Sequence, residues 1–186
     1  MIDENRNPWT TLSSDICYEN PWIKVTEHRV LNPKGGQGIY GTVHFKNLAI
    51  GILACEEDKI WLIGQYRYPL NQYSWELPEG GGKHDTPPLL SAKRELLEEV
   101  GATARHWEEI GRSHLSNSVS DELAIIFLAT ELTYEEAQPE DTEELQRKLV
   151  SLDEAVAMIK RKQITDSITI MAIQWLQIKR LSASQS

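Results

Sequence analysis

Six residues, Arg94-Glu95-Leu96-Leu97-Glu98-Glu99, constrain this chain more than any other stretch. They fall inside LLSAKRELLEEVG, whose composition predicts a helix with Thr86 as N-cap, Pro87 and Pro88 in the first turn and Gly101 in the left-handed position past its end. At 3.6 residues per turn, positions i, i+3 and i+4 share a face, so Glu95, Glu98 and Glu99 stand roughly 5–6 Å apart. Like charges so placed cost a few tenths of a kcal/mol per pair. Arg94 offsets only part of that. A solvated charged face would tolerate the arrangement, whereas hard divalent cations, which take oxygen ligands, would use it. Context favours the cation. A glycine run, Gly80–Gly82, precedes the helix, and Leu90, Leu97 and Val100 are expected to form an apolar opposite face, so that the acids point one way. Mg²⁺ held by carboxylates keeps positions open for water and phosphate oxygens, which suits hydrolysis of phosphoanhydrides.

The remaining composition narrows the partners. In 186 residues, 28 Asp and Glu outnumber 19 Lys and Arg, for a formal charge of −9. That excess argues against a nucleic-acid binder with a basic face and against an anionic membrane surface. The longest apolar runs, Ile60 to Ile63 and Leu123 to Ala129, fall far short of the ~20 residues that span a bilayer. The start, MIDENRNP, has neither the basic nor the apolar region of a secretory signal. Cys17 and Cys55 make no disulfide framework and no zinc spacing. The expectation is a cytoplasmic protein. Six Trp against two Phe imply a use for flat amphipathic rings beyond filling a core.

Along the chain, residues 1–20 look polar and irregular apart from the apolar group near Ile16 to Tyr18, and strands are expected at WIKVTEHRVL, GIYGTVHF, LAIGILAC and IWLIGQYRY, joined as an antiparallel meander. ELPEGGGKHDTPP looks like loop. Two further strands are expected at HWEEIGR and LAIIFLATEL, then a solvated acidic loop in TYEEAQPEDTEEL. Ser151 and Glu154 form a capping box opening DEAVAMIKRK, Asp166 caps a last helix, and the tail SASQS is expected to fray. This order predicts an α/β layered domain, with the N-terminal hairpins as candidates for a second sheet. Arg67 is a candidate phosphate clamp, because a guanidinium grips diphosphate oxygens bidentately. Glu76 either bonds substrate or braces its loop.

The run from Gly80 to Ala102 resembles the Nudix box, G-x5-E-x7-R-E-U-x-E-E-x-G-U with U apolar. Gly80, Arg94, Glu95, Leu96, Glu98, Glu99, Gly101 and Ala102 are in register, and Thr86 stands where the family has Glu. That Glu usually supports the box arginine, so its loss bears on loop rigidity and the orientation of Arg94, with Glu76 or Asp85 as substitutes. QYRYPLNQYSWELPEGG, YENPWIKV, SNSVSDE and KQITDSITIMAIQWLQ extend the resemblance to the subgroup that cleaves ADP-ribose and nucleoside diphosphate sugars.

The resemblance implies an α/β/α sandwich around a mixed sheet, with an N-terminal antiparallel sheet that commonly joins two chains as a homodimer. The corresponding division is an N-terminal β region over 1–57 and a hydrolase domain over 58–186. It implies Mg²⁺, with Mn²⁺ as the alternative, on Glu95, Glu98, Glu99 and the backbone carbonyl of Glu79, with Arg94 orienting the glutamates. The general base is implied to be an acid of the 135–144 loop: Glu143 first, then Glu144, Asp141 and Glu140. Glu122 is a candidate for the sugar end. Trp22 and Tyr18 could stack on a nucleobase in the partner's site. The implied activity is hydrolysis of a nucleoside diphosphate sugar to a nucleoside monophosphate and a sugar phosphate. A catalytically silent Nudix-fold sensor is the competing function, disfavoured because all three box glutamates are present.

Overall fold

The computed structural model describes residues 6–135 and 145–183. Glu143, Glu144, Asp141 and Glu140 lie outside the described residues, as does most of the tail. The chain divides into two units, one built from the segment ending at Asn47 with His114–Glu122, the other from Leu48–Ser113 and Leu123 onward.

The first unit is a three-stranded antiparallel sheet of β1 (Thr10–Glu19), β2 (Ile23–Leu31) and β3 (Gln37–Phe45). The expectation of an irregular start is wrong: β1 is a full strand. Its register slips between Thr11 and Ser13 and again between Ile16 and Tyr18. Each slip inserts a residue and reverses the alternation, so no single period of two survives for sequence reading to detect. Across the sheet, Ser14 Oγ meets His28 Nδ1 at 2.8 Å and His28 Nε2 meets Thr42 Oγ1 at 3.0 Å. Residues 114–122 are strapped to β3: Val43 N donates to Val119 O at 2.8 Å, Tyr40 Oη to Ser118 O at 2.7 Å, and Phe45 N to Asp121 Oδ1 at 2.9 Å. Asp121 also pairs with His44.

The second unit carries a seven-stranded sheet of order β10-β5-β4-β9-β8, with β6 added to β5 and β7 to β4. Its strands are β4 (Asn47–Glu56), β5 (Lys59–Arg67), β6 (Gln72–Glu76), β7 (Glu79–Lys83), β8 (Ala102–His114), β9 (Leu123–Tyr134) and β10 (Gln146–Ser151). The expected meander therefore breaks after β3. β4 pairs in parallel with β9, Ala49–Ala54 against Ala124–Ala129, and antiparallel with β5 only at Cys55 and Glu56. The reason is visible in LAIGILAC, a continuous apolar run that suits a strand covered on both faces rather than a half-solvated one.

Helices cover both faces of β4. Ile50, Ile52 and Ala54 pack with Ala92, Leu96 and Val100, from α1 (Pro88–Glu95) and the π-helical turn Leu96–Val100 that continues it. The intervening Gly51 lies under α3 (Ser167–Ala183), where a Cβ would meet Ile168 Cγ2 at 2.5 Å. Successive strand residues face opposite ways, so α1 and α3 lie on opposite sides and the domain is a sandwich. The capping signals hold in part. Ser151 Oγ accepts from Glu154 N at 3.2 Å at the start of α2 (Leu152–Lys160), while the Glu154 carboxylate reaches Arg161 at 2.6 Å. Asp166 Oδ2 accepts from Thr169 N at 2.7 Å at the start of α3.

Candidate active site

Two expectations for the carboxylate helix need correction. Its N-cap residue is Pro87 with no side-chain cap, and Thr86 Oγ1 bonds Asp85 Oδ1 at 3.2 Å. The acids and the apolar residues do not occupy opposite faces. Leu90 is 55% exposed, whereas Glu95 and Glu99 are buried beside Ala92, Leu96 and Val100. Ala92, Glu95, Leu96 and Glu99 stand three and four residues apart and so share one side of the helix, with Leu90 about opposite. Gly101, at φ 74°, ends the helix in the left-handed conformation, as expected.

The glycine run is strand β7 rather than loop. Glycine permits close approach there: a Cβ on Gly80 would lie 2.1 Å from the Glu95 carboxyl and displace it, and one on Gly82 would lie 2.9 Å from Ile50. β7 therefore runs hard against the helix. Arg94 ties the two together, donating to Glu95 Oε1 at 2.5 Å, Glu98 Oε2 at 2.6 Å and Gly81 O at 3.0 Å. These contacts hold Glu95 and Glu98 beside Gly81. Arg94 makes them without Thr86, and Glu76 is engaged elsewhere. Glu79 N donates to Glu99 Oε2 at 2.9 Å, so the residue before Gly80 is fixed directly to the helix.

Arg67 lies on the same face of the β5–β6 hairpin as Glu76, because Arg67 pairs with Gln72 and Ile63 with Glu76. Its guanidinium holds Glu76 through Nε and Nη2, and it reaches Glu79 Oε1 through Nη2 at 2.5 Å. Burial raises the Glu76 carboxyl, but the Arg67 guanidinium outweighs this and holds it below the usual range. Glu79 is pushed well up, first by burial and then by the nearby charges of Asp166 and Glu76. One guanidinium cannot satisfy two carboxylates equally, and Glu79 Oε2 is buried with no hydrogen-bond partner among the described residues.

Sequence reasoning missed Arg147, on β10. Its Nε donates to Glu99 O at 2.5 Å, placing a cation on the last turn of the helix, where the macrodipole favours it. Nothing local announces this contact, because β10 joins the sheet far along the chain. The structure gathers Glu79, Glu95, Glu98, Glu99, Arg94, Arg67 and Glu76 in the second unit. Trp22, 65% exposed after the Asn20 turn, and Glu122, beside Asp121, belong to the first.

Among the described residues no group of three or more His, Cys, Asp and Glu is drawn together as for an ion. The donor set nevertheless fits a hard divalent cation. Glu95 and Glu98 share Arg94, Glu99 takes the Glu79 N–H, and all three are carboxylates, hard oxygen donors of the kind such a cation takes.

The comparisons agree with this geometry. The NUDIX domain family model matches residues 45–171, and that of the nucleoside diphosphate sugar hydrolase N-terminal domain matches residues 9–43. The chain belongs to the NUDIX family and is a hydrolase. It is 34% identical over 140 residues to an ADP-ribose pyrophosphatase of Bacillus subtilis (strain 168), covering 74% of this chain and 76% of the relative. An ADP-ribose pyrophosphatase of Mycobacterium tuberculosis (strain ATCC 25618 / H37Rv) is 31% identical over 172 residues, 88% of this chain and 80% of its own. A methanol dehydrogenase activator of Bacillus methanolicus is 29% identical over 171 residues, 91% of this chain and 92% of the relative. A crystal structure of an ADP compounds hydrolase superposes with a TM-score of 0.85 at 17% identity, over 96% of this chain and 97% of the other, and supports the fold. No helix among the described residues is long and apolar enough to cross a membrane.

Proposed function

We propose that the chain hydrolyses the diphosphate bond of ADP-ribose and related nucleoside diphosphate sugars, with a divalent metal, giving a nucleoside monophosphate and a sugar phosphate. The observation that carries this is the helix of Glu95, Glu98 and Glu99 fixed to the glycine strand: Glu95 lies against Gly80, Arg94 joins Glu95 and Glu98 to Gly81 O, and Glu79 N is tied to Glu99. The similarity to two ADP-ribose pyrophosphatases supports the substrate class. In this reading Glu95, Glu98, Glu99 and the Glu79 carbonyl hold Mg²⁺ or Mn²⁺, which when bound screens the diphosphate charge and lowers the pKa of the attacking water.

Arg94 keeps two of these glutamates in place. Arg67, with Nε and Nη2 given to glutamates, offers Nη1 to a phosphate oxygen, and Glu76 sets the angle of that guanidinium. Glu122 takes the sugar end. Glu143 accepts the proton of the attacking water. The protein works in the cytoplasm, in keeping with unpaired Cys17 and Cys55.

The test is a panel of nucleoside diphosphate sugars with Mg²⁺ or Mn²⁺, reading released monophosphate. ADP-ribose is expected among the best substrates, with turnover abolished by a chelator and restored by excess metal. Chelator-resistant hydrolysis, or none on any diphosphate sugar, would refute the reading.

The same proposal includes a homodimer formed through the first unit. Every residue of β1 is exposed, and Leu12, Ile16, Tyr18, Trp22 and Ile39 offer apolar surface that a monomer rarely leaves uncovered. In a dimer Trp22 would stack on the nucleobase held by the partner. Sedimentation velocity is expected to give a dimer for the native chain, and a monomer for Leu12→Asp/Ile16→Asp. A native monomer at micromolar concentration would remove the dimer from the reading.

A further inference from the structure

The segment KQITDSIT, residues 162–169, has no part in the chemistry proposed above, yet it contains a fully buried polar side chain, Thr169. Its partner is not in its own helix. Thr169 Oγ1 accepts a hydrogen bond from Leu77 N at 2.9 Å, across a sequence separation of 92 residues. Leu77 opens the turn Leu77-Pro78-Glu79 that leads from β6 into β7.

All three residues of that turn are held from outside it. Leu77 N goes to Thr169, Pro78 O accepts from Ile52 N at 2.9 Å, and Glu79 N goes to Glu99 Oε2 at 2.9 Å. Proline has no N–H, so the turn has only two backbone donors. Both end on side chains, one in α3 and one in the box. The start of α3 is itself fixed against β6. Asp166 Oδ2 accepts from Thr169 N at 2.7 Å, and Trp75 N donates to Gln163 O at 3.1 Å. A valine would fill the space of Thr169 but would leave the buried Leu77 N–H without an acceptor, which a serine would not.

We infer that Thr169 is a positioning residue for the active site: through Leu77 N–H it sets the turn that presents Glu79 to Glu99 and to the metal. The link to metal rests on the function proposed above. The link to Glu99 does not.

Both links are tested in the full chain with Thr169→Val and Thr169→Ser. Amide hydrogen exchange is followed at Leu77 and Glu79, alongside the Mg²⁺ concentration giving half-maximal ADP-ribose hydrolysis. In Thr169→Val, exchange at Glu79 is expected to accelerate about tenfold as the turn loosens. The half-maximal Mg²⁺ concentration is expected to rise about tenfold, at the low end of what residues orienting a metal ligand confer. KM for ADP-ribose at saturating Mg²⁺ should stay within about twofold, and Thr169→Ser should restore wild-type values, because Thr169 acts on the turn and not on substrate.

A global loss of packing would not separate the metal requirement from KM in this way. If Thr169→Val fails to fold, Thr169→Cys, close in size but a weak acceptor, is compared with Thr169→Ser instead. A folded variant with native Glu79 exchange would overturn the inference. Faster exchange with an unchanged Mg²⁺ requirement would overturn its connection to the site. If the wild type hydrolyses no diphosphate sugar, the proposed function fails, and Glu79 exchange alone decides the role of Thr169.

Discussion

Glu98→Gln and Glu99→Gln are each expected to lower kcat for ADP-ribose by about 10²–10³, the loss of roughly 3–4 kcal/mol of transition-state stabilisation. Glutamine preserves the shape of both side chains. Its carbonyl oxygen can still accept from Arg94 at position 98 and from Glu79 N at position 99. It removes one of three carboxylate charges held within about one helical turn, so the melting temperature should hold or rise. Loss of turnover without loss of fold is therefore the signature of a metal ligand. Wild-type turnover in both variants would refute the metal-hydrolase reading. A wild-type chain that binds ADP-ribose and never cleaves it would instead be the silent sensor.

Arg67→Ala is expected to be the most damaging substitution to stability. Glu76 has 3% side-chain exposure and depends on this guanidinium for two of its hydrogen bonds from Nε and a third from Nη2. Removing one partner of a buried pair leaves an uncompensated charge and costs 3–5 kcal/mol in general; about 3 kcal/mol applies here, since Arg67 is itself 35% exposed. For a chain of this length that is a fall of roughly 6–12 °C in melting temperature. The sign with pH follows from Glu76, whose folded-state pKa is depressed. The pair's contribution is present above the ordinary glutamate range and disappears as pH falls through the lower, folded value, so wild type and Arg67→Ala should converge in acid. Adding Glu76→Gln to Arg67→Ala should recover much of the loss, because the two residues form one interacting unit. A melting temperature unchanged in Arg67→Ala would show that Glu76 does not depend on the arginine.

The carboxylate helix was legible because its signals are local: the charge spacing and the glycine stop lie within one segment. The sandwich and its mixed sheet were legible through family resemblance to motifs spread along the chain. What the residues alone concealed was of two kinds. Bulges at Leu12 and Cys17 hid β1 by interrupting its alternation, and close packing hid β7, because glycines needed for approach to Glu95 and Ile50 look the same as glycines in a loop. Contacts of long separation were hidden as well. No spacing rule connects Arg147 to the Glu99 carbonyl or Thr169 to Leu77, since both exist only once the sheet has formed. Leu90 misled because the buried face runs through Ala92, Glu95, Leu96 and Glu99, two of them acids, and leaves Leu90 on the far side.

Those long contacts also fix an order of events during synthesis. The helix carrying Glu95, Glu98 and Glu99 leaves the ribosome well before Arg147 and Thr169, which brace its last turn and the neighbouring Leu77–Glu79 turn from 48 and 92 residues away. Closing loops of that length is entropically costly and slow compared with forming a helix. The Leu77–Glu79 turn and the last turn of the carboxylate helix are therefore braced only after β10 and the final helix have docked.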